Sequence, residues 1–163
     1  MATFFIGDTH FAHKNIIKWS ECRKHYTDVN HMNEDLILRW NSVVQPDDKV
    51  FMVGDFAFAS RFDILARLNG RILLVLGNHE YPNKIKAILE HPHVKVCSSA
   101  EWEGGVVTHI PVHPSQLERW DFNIHGHLHE DIIEGDSRYV CVSAEQINLT
   151  PISWDDLRKK HRI

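Results

Sequence analysis

Three apolar runs in the first half of the chain, FFI, KVFMV and RILLVL, each stop at a glycine followed at once by aspartate or asparagine: Gly7-Asp8, Gly54-Asp55 and Gly77-Asn78. Short runs rich in branched and aromatic side chains, with no polar alternation, read as strands buried on both faces, which belong to parallel sheets covered by helices. Helical patterns separate them. Met32, Leu36, Trp40 and Val43 or Val44 recur at helical spacing through NHMNEDLILRWNSVV, with Pro46 and Asp47 as the stop. Residues 61–69, closed by Gly70, and 83–90 read as two more helices. Strand, helix, strand alternation predicts a mixed α/β fold with parallel pairs. The later part is strand-rich, with VKVCSS, GGVVTH, DFNIHG and RYVCVSAEQ before a short terminal helix from about Ser153 to Lys160.

A chain of 163 residues, 43% of them hydrophobic, is expected to form one domain over 1–163 with a full core. The formal charge of -4 gives no basic footprint for long nucleic acid, so an anionic partner would be small and held locally. Cys22, Cys97 and Cys141 are odd in number and widely spaced, which argues against a disulfide framework or thiolate zinc cluster and predicts ordinary buried thiols. No apolar run is long enough for a signal peptide or a membrane span, so a soluble cytoplasmic protein is expected.

The unusual count is 13 histidines. Several stand where strands end: His10 in GDTH, His79 in GNHE, His109 in VVTH, and His125, His127 and His129 in IHGHLH. In open α/β sheets the carboxyl ends of strands are where ligands bind, so these groups should converge with Asp8, Asp55 and Asn78. In an extended strand residues two apart share a face, which would aim Asp8 with His10, and His127 with His129, at one point each. The glycines ahead of them are expected to let the backbone turn sharply. Asp8, His10, Asp55, Asn78, His109, His127 and His129 are seven groups, too many for one tetrahedral ion but right for two ions sharing a bridging carboxylate. Carboxylate, imidazole and amide donors without thiolate suit divalent first-row ions, Mn above all, with Fe, Zn or Ni as alternatives. Two such ions about 3.5–4 Å apart can activate a hydroxide and clamp phosphoryl oxygens, the chemistry of phosphate-ester hydrolysis.

The ordered blocks GDTH, GDF, GNHE, a lone TH and GHLH resemble the calcineurin-like metallophosphoesterases, and DTHFAHKNII and YVCVSAEQINLTPIS are similar to a compact bacterial and phage-type branch of that family. The resemblance implies a two-sheet sandwich flanked by helices (α-β-β-α). It also implies that Asp8, His10, Asp55 and His129 hold one metal, while Asn78, His109 and His127 hold the other with Asp55 as bridge. His79 is then the catalytic residue that acts on the substrate, with Glu80, in place of the family's usual Asp, beside it. A single domain without room for a cap favours phosphodiesters, of nucleotide or cyclic-nucleotide kind, over the alternative of a phosphatase for small phosphorylated metabolites or phosphoproteins.

Other histidines are expected to be ordinary: His25, His31, His91, His93 and His161 carry no role, His13 and His113 stand at the rim or in plain loops, and His125 is supporting or structural. Lys14, Arg23, Lys24 and His25 follow the first site loop and could touch a phosphate, surface solvation being the bland reading for each. The five tryptophans read as core or interface anchors, not base-stacking platforms. A metal-binding module without catalysis is the non-enzyme alternative, but decay would be expected to remove His79 or the bridging carboxylate first. A two-histidine, one-carboxylate oxygenase site does not need seven ligands.

Overall fold

The computed structural model describes residues 1–58 and 61–163. Strands β1 (Thr3–Ile6), β2 (Lys49–Val53), β3 (Arg71–Val75) and β4 (Val94–Cys97) are parallel neighbours, with β9 (Ile152–Ser153) antiparallel on the outer edge of β1. A second sheet runs β5 (Ala100–Trp102), β6 (Gly105–Thr108), β7 (Asn123–His125), β8 (Tyr139–Cys141), with the last three parallel. The helices are α1 (Ile16–Trp19), α2 (Val29–Val43), α3 (Pro82–Leu89) and α4 (Trp154–His161). The result is a mixed α/β sandwich of two parallel-rich sheets flanked by helices.

The unbroken apolar runs have their explanation in two cores that share one sheet. Alternate residues Phe4, Ile6, Val50, Met52, Ile72 and Leu74 pack against α2, whose Met32, Leu36 and Trp40 are buried. Their neighbours Phe5, Phe51, Val53 and Val75 face the second sheet and meet Val107, Ile124 and Val140. Phe5 and Phe51 stack with ring centroids 4.9 Å apart, and Trp102 and Trp154 close over them.

Helix α2 starts where Asp28 accepts hydrogen bonds from the Asn30 and His31 amides, at 2.8 and 2.9 Å, satisfying donors the first turn leaves free. Residues 61–69, expected as a helix, contain a 3-10 segment at Phe62–Arg67 that buries Phe62, Ile64 and Leu65. Cys22 is exposed, contrary to expectation, whereas Cys141 is buried. No described helix is long and apolar enough to cross a membrane.

Beyond Ile6 the first strand crosses from one sheet to the other. Gly7 bridges Ser143 in parallel, its amide donating to the Val142 carbonyl and its carbonyl accepting from Ala144, at 2.7 and 2.9 Å. The stitch brings the carboxyl ends of β1, β2 and β3 to the same edge as those of β6, β7 and β8.

Candidate metal centre

Of the polar groups singled out at strand ends, all but His125 gather at that shared edge. Asp8, His10 and His129 form one cluster, and Asp55, His109 and His127 another; within each, one ligand atom per residue lies within 4.8 Å of the others. Asp55 stands between them: its Oδ2 is 3.7 Å from His10 Nε2 and 3.4 Å from His109 Nε2. Asn78 Oδ1 completes the second cluster, 2.9 Å from His109 Nε2 and 3.0 Å from His127 Nδ1.

The route to this convergence differs from the sequence expectation. Asp8, His10, Asp55, His127 and His129 all have left-handed backbones, with φ between 49° and 72°. None is in an extended strand, and β7 ends at His125, before the HxH unit. Asp8 and His10 nonetheless meet in one cluster, as expected, whereas His127 and His129 enter different clusters instead of sharing a face. Nor do the glycines all supply the turn. A Cβ on Gly126 would lie 2.5 Å from Asp8 Oδ2, and one on Gly77 would collide with the Asp55 carboxylate, so here glycine makes room for a ligand side chain.

Two buried groups of the first cluster carry unpartnered atoms. Asp8 Oδ1 and both ring nitrogens of His10 make no hydrogen bond among the described residues, although Asp8 is 0% and His10 3% exposed. A native interior rarely leaves such groups unsatisfied, because each unmet donor or acceptor costs about 1–3 kcal/mol. His10 Nε2 is 3.9 Å from Asp8 Oδ1, too long for a hydrogen bond. Two donors each about 2.0–2.2 Å from a single ion have separations of this order, so the group fits a divalent metal.

Charge supports the fit. Burial lifts the Asp8 carboxyl to about 6 despite the nearby histidines, and burial pushes the His10 imidazole down to about 2, leaving it neutral as a ligand must be. Burial alone would lower His109, but its hydrogen bond to Asp55 and the Asp8 and Asp55 charges lift it to about 9. Carboxylates forced together in a dry setting draw on whatever cation is near, here an imidazolium; a metal ion would take over that task.

A supporting layer fixes the ligands. Glu145, whose side chain is 1% exposed, receives His129 Nδ1 at 3.3 Å and Arg23 Nε at 2.8 Å, leaving His129 Nε2 to face Asp8. Burial alone would raise the Glu145 carboxyl; the His129 hydrogen bond and the Arg23 charge hold it at about 2. Arg23 also donates to the carbonyls of Asp8 and Thr9, at 2.8 and 2.9 Å. It is 0% exposed, so it is neither a solvated surface cation nor a phosphate contact. Lys14, Lys24 and His25 are exposed. Ser143 donates to Asp8 Oδ2 at 2.8 Å, the His127 amide donates to the same oxygen at 2.9 Å, and the Val53 carbonyl accepts from His109 Nδ1 at 2.9 Å. Ser143 and Glu145 went unread in the sequence, although both follow β8 as the ligands follow their strands. Arg23 offered no signal, because a buried arginine looks in sequence like an exposed one.

His79 belongs to neither cluster. Its side chain is 31% exposed, its Nε2 is 3.7 Å from Asp55 Oδ2, and its ring packs on Phe58. Glu80 does not pair with that ring. It is buried, and its carboxylate accepts the amides of Asp55 (2.9 Å), Phe56 (2.8 Å) and Gly77 (2.8 Å), tying the loop after β3 to the loop after β2. His13 accepts the Ile16 amide and lines a cavity beside His10; His113 accepts the Ser115 amide in an exposed loop. His125 is fully buried and donates from Nδ1 to the Gly126 carbonyl at 2.9 Å.

No protein-family model matches the sequence. The uncharacterized protein MJ1445 of Methanocaldococcus jannaschii is 31% identical over 163 aligned residues, covering 93% of this chain and 86% of that protein. Gene 66 protein of Mycobacterium phage L5 is 34% identical over 87 residues, covering 50% of this chain and 41% of its own. Among solved structures, a protein of unknown function, AQ665 from Aquifex aeolicus, superimposes with a TM-score of 0.74 at 25% identity over 98% of both chains. An archaeal phosphodiesterase superimposes with a TM-score of 0.50 at 23% identity, over 88% of this chain and 82% of that one, a likeness of fold.

Proposed function

The chain belongs to the same family as the uncharacterized protein MJ1445, and from its paired ligand clusters we propose that it is a dinuclear, metal-dependent phosphoesterase acting on phosphodiesters. The position of Asp55 carries the reading: one carboxylate oxygen lies 3.4–3.7 Å from imidazoles of both clusters, as a bridging ligand requires. The five blocks shared with calcineurin-like metallophosphoesterases support it, as does the likeness in fold to an archaeal phosphodiesterase.

Asp8, His10, Asp55 and His129 would hold one ion, and Asn78, His109, His127 and the same Asp55 the other. The hard and borderline donors suit Mn²⁺, with Fe, Zn or Ni as alternatives. When bound, the pair supplies Lewis-acid polarisation of phosphoryl oxygens and lowers the pKa of water. The chain's own part is geometric and protic. Glu145 and Val53 orient His129 and His109, and Glu80 fixes the loop that carries Asp55. His79, partly exposed at the mouth and outside both clusters, is the group that gives a proton to the departing oxygen.

Diesters are favoured over monoesters because the centre is open on two sides. Asn78 and His109 border one cleft of about 310 Å³, and His10, His79 and His127 border another of about 530 Å³. A diester carries a substituent on each side of phosphorus, and two clefts accept both. The test is elemental analysis of metal-loaded protein together with hydrolysis of methyl p-nitrophenyl phosphate. Two ions per chain and activity lost to chelator and restored by Mn²⁺ are expected; one ion or none, or no hydrolysis by the loaded protein, overturns the reading.

A further inference from the structure

The larger of these two clefts has a distinctive lining. Its lining includes the apolar Ile16, Trp19 and Leu128 and the acidic Glu130 and Asp131, and among the described residues no lysine or arginine lines it. Trp19 is 69% exposed, an expensive way to leave the largest apolar side chain in water. It is not a core residue, the first of the two roles, core or interface anchor, expected of the tryptophans. Its indole continues a row of aromatic rings leading to the metal ligands: Trp19 to His13 at 5.5 Å between centroids, and His13 to His10 at 5.5 Å. Phe58 backs His13 at 4.0 Å.

Resting on the phosphodiesterase reading of the same centre, we propose that this cleft is a nucleobase subsite in which Trp19 is the stacking platform. Stacking on an aromatic face is open to any planar base. Two ring-to-ring steps separate Trp19 from His10, leaving space for a sugar between a base on the indole and a phosphate at the metal clusters. The acidic wall sets the polarity of binding. Glu130 and Asp131 repel a further phosphate but accept hydrogen bonds from sugar hydroxyls and exocyclic amines, so the nucleoside end of the substrate, not its anionic end, enters here. Glu130 also holds the shelf in position, accepting from the Ser20 hydroxyl at 2.9 Å and the Glu21 amide at 2.7 Å, just after the Trp19 helix.

The test is calorimetric binding of adenosine 5′-monophosphate and of ribose 5-phosphate, which lacks the base, to the Mn²⁺-loaded chain. Wild type should bind the nucleotide about tenfold or more tightly than the sugar phosphate. Trp19→Ala should bring the two within about twofold and Trp19→Phe should keep most of the preference, as stacking requires. Leu38→Ala, an equally exposed apolar residue on α2, should leave both constants unchanged. Equal binding of both ligands by wild type, or a preference that survives Trp19→Ala, overturns the subsite. Hydrolysis of methyl p-nitrophenyl phosphate by wild type, a substrate without a base, reports on the metal centre separately, so loss of one conclusion is not mistaken for loss of the other.

Discussion

Glu80 separates two roles, orienting the proposed proton donor His79 or holding a loop. Its two oxygens accept three main-chain amides at 2.8–2.9 Å, those of Asp55 and Phe56 being buried. Glu80→Ala orphans both buried donors, at about 1–3 kcal/mol each, so a loss of about 2–6 kcal/mol is expected, with the more accessible Gly77 amide adding less. Against a total stability of about 5–15 kcal/mol, that is enough to unfold a marginal domain. Glu80→Gln is the sharper probe because it keeps the shape. Turned to retain the Asp55 and Gly77 bonds, its amide nitrogen faces the Phe56 N–H, one unmet donor, for about 1–3 kcal/mol. Urea denaturation measures that loss, and kcat is followed with rising Mn²⁺. A loop clip predicts lowered stability and a rate that returns toward wild type once excess metal refills the loosened Asp55 site. Unchanged stability with a kcat defect that metal does not repair would mean that Glu80 acts on His79, and the structural argument would be wrong.

Other substitutions probe other layers. Arg23→Ala removes the partner of a buried carboxylate and should cost about 3–5 kcal/mol in chemical denaturation, where a surface arginine would cost under 1. Gly126→Ala puts a methyl 2.5 Å from Asp8 Oδ2 and 2.8 Å from the Val53 carbonyl, and should lose about 1–3 kcal/mol together with metal, read by denaturation and elemental analysis. Asp55→Ala should release both ions, not one, in the same analysis, because its Oδ2 stands within 3.7 Å of an imidazole of each cluster. His79→Gln should keep both ions yet slow esters with alkoxide leaving groups by about 10²- to 10⁴-fold, while p-nitrophenyl esters, which need little protonation, lose much less.

The fold was legible because its strongest signal is redundant. Phe4 and Phe5, or Val50 and Phe51, are both apolar only because each central strand has a core on either side, and a continuous run cannot mean much else at that length. Strands β5 and β9 passed unread: each is two or three residues long and owes its pairing to a neighbour, not to its own pattern.

The candidate site was legible by residue type, not by geometry. An i, i+2 reading assumes extended backbone, and five of the seven groups have φ above 40° instead. Left-handed geometry in aspartate and histidine costs about 1–3 kcal/mol per residue and persists only where the surroundings over-determine it. Here they do: Asp8 is held by Ser143, the His127 amide and an arginine on its carbonyl, and Asp55 by Glu80 and the His79 amide. Those restraints come from residues 15 to 135 positions away, which no local pattern contains. The strain and the unpaired atoms of Asp8 and His10 then have one cause. A backbone this constrained, delivering Asp8 and His10 atoms that find no partner among the described residues, is what the proposed metal centre calls for, and on that reading metal binding should raise the unfolding midpoint of the wild-type protein more than that of Asp55→Ala.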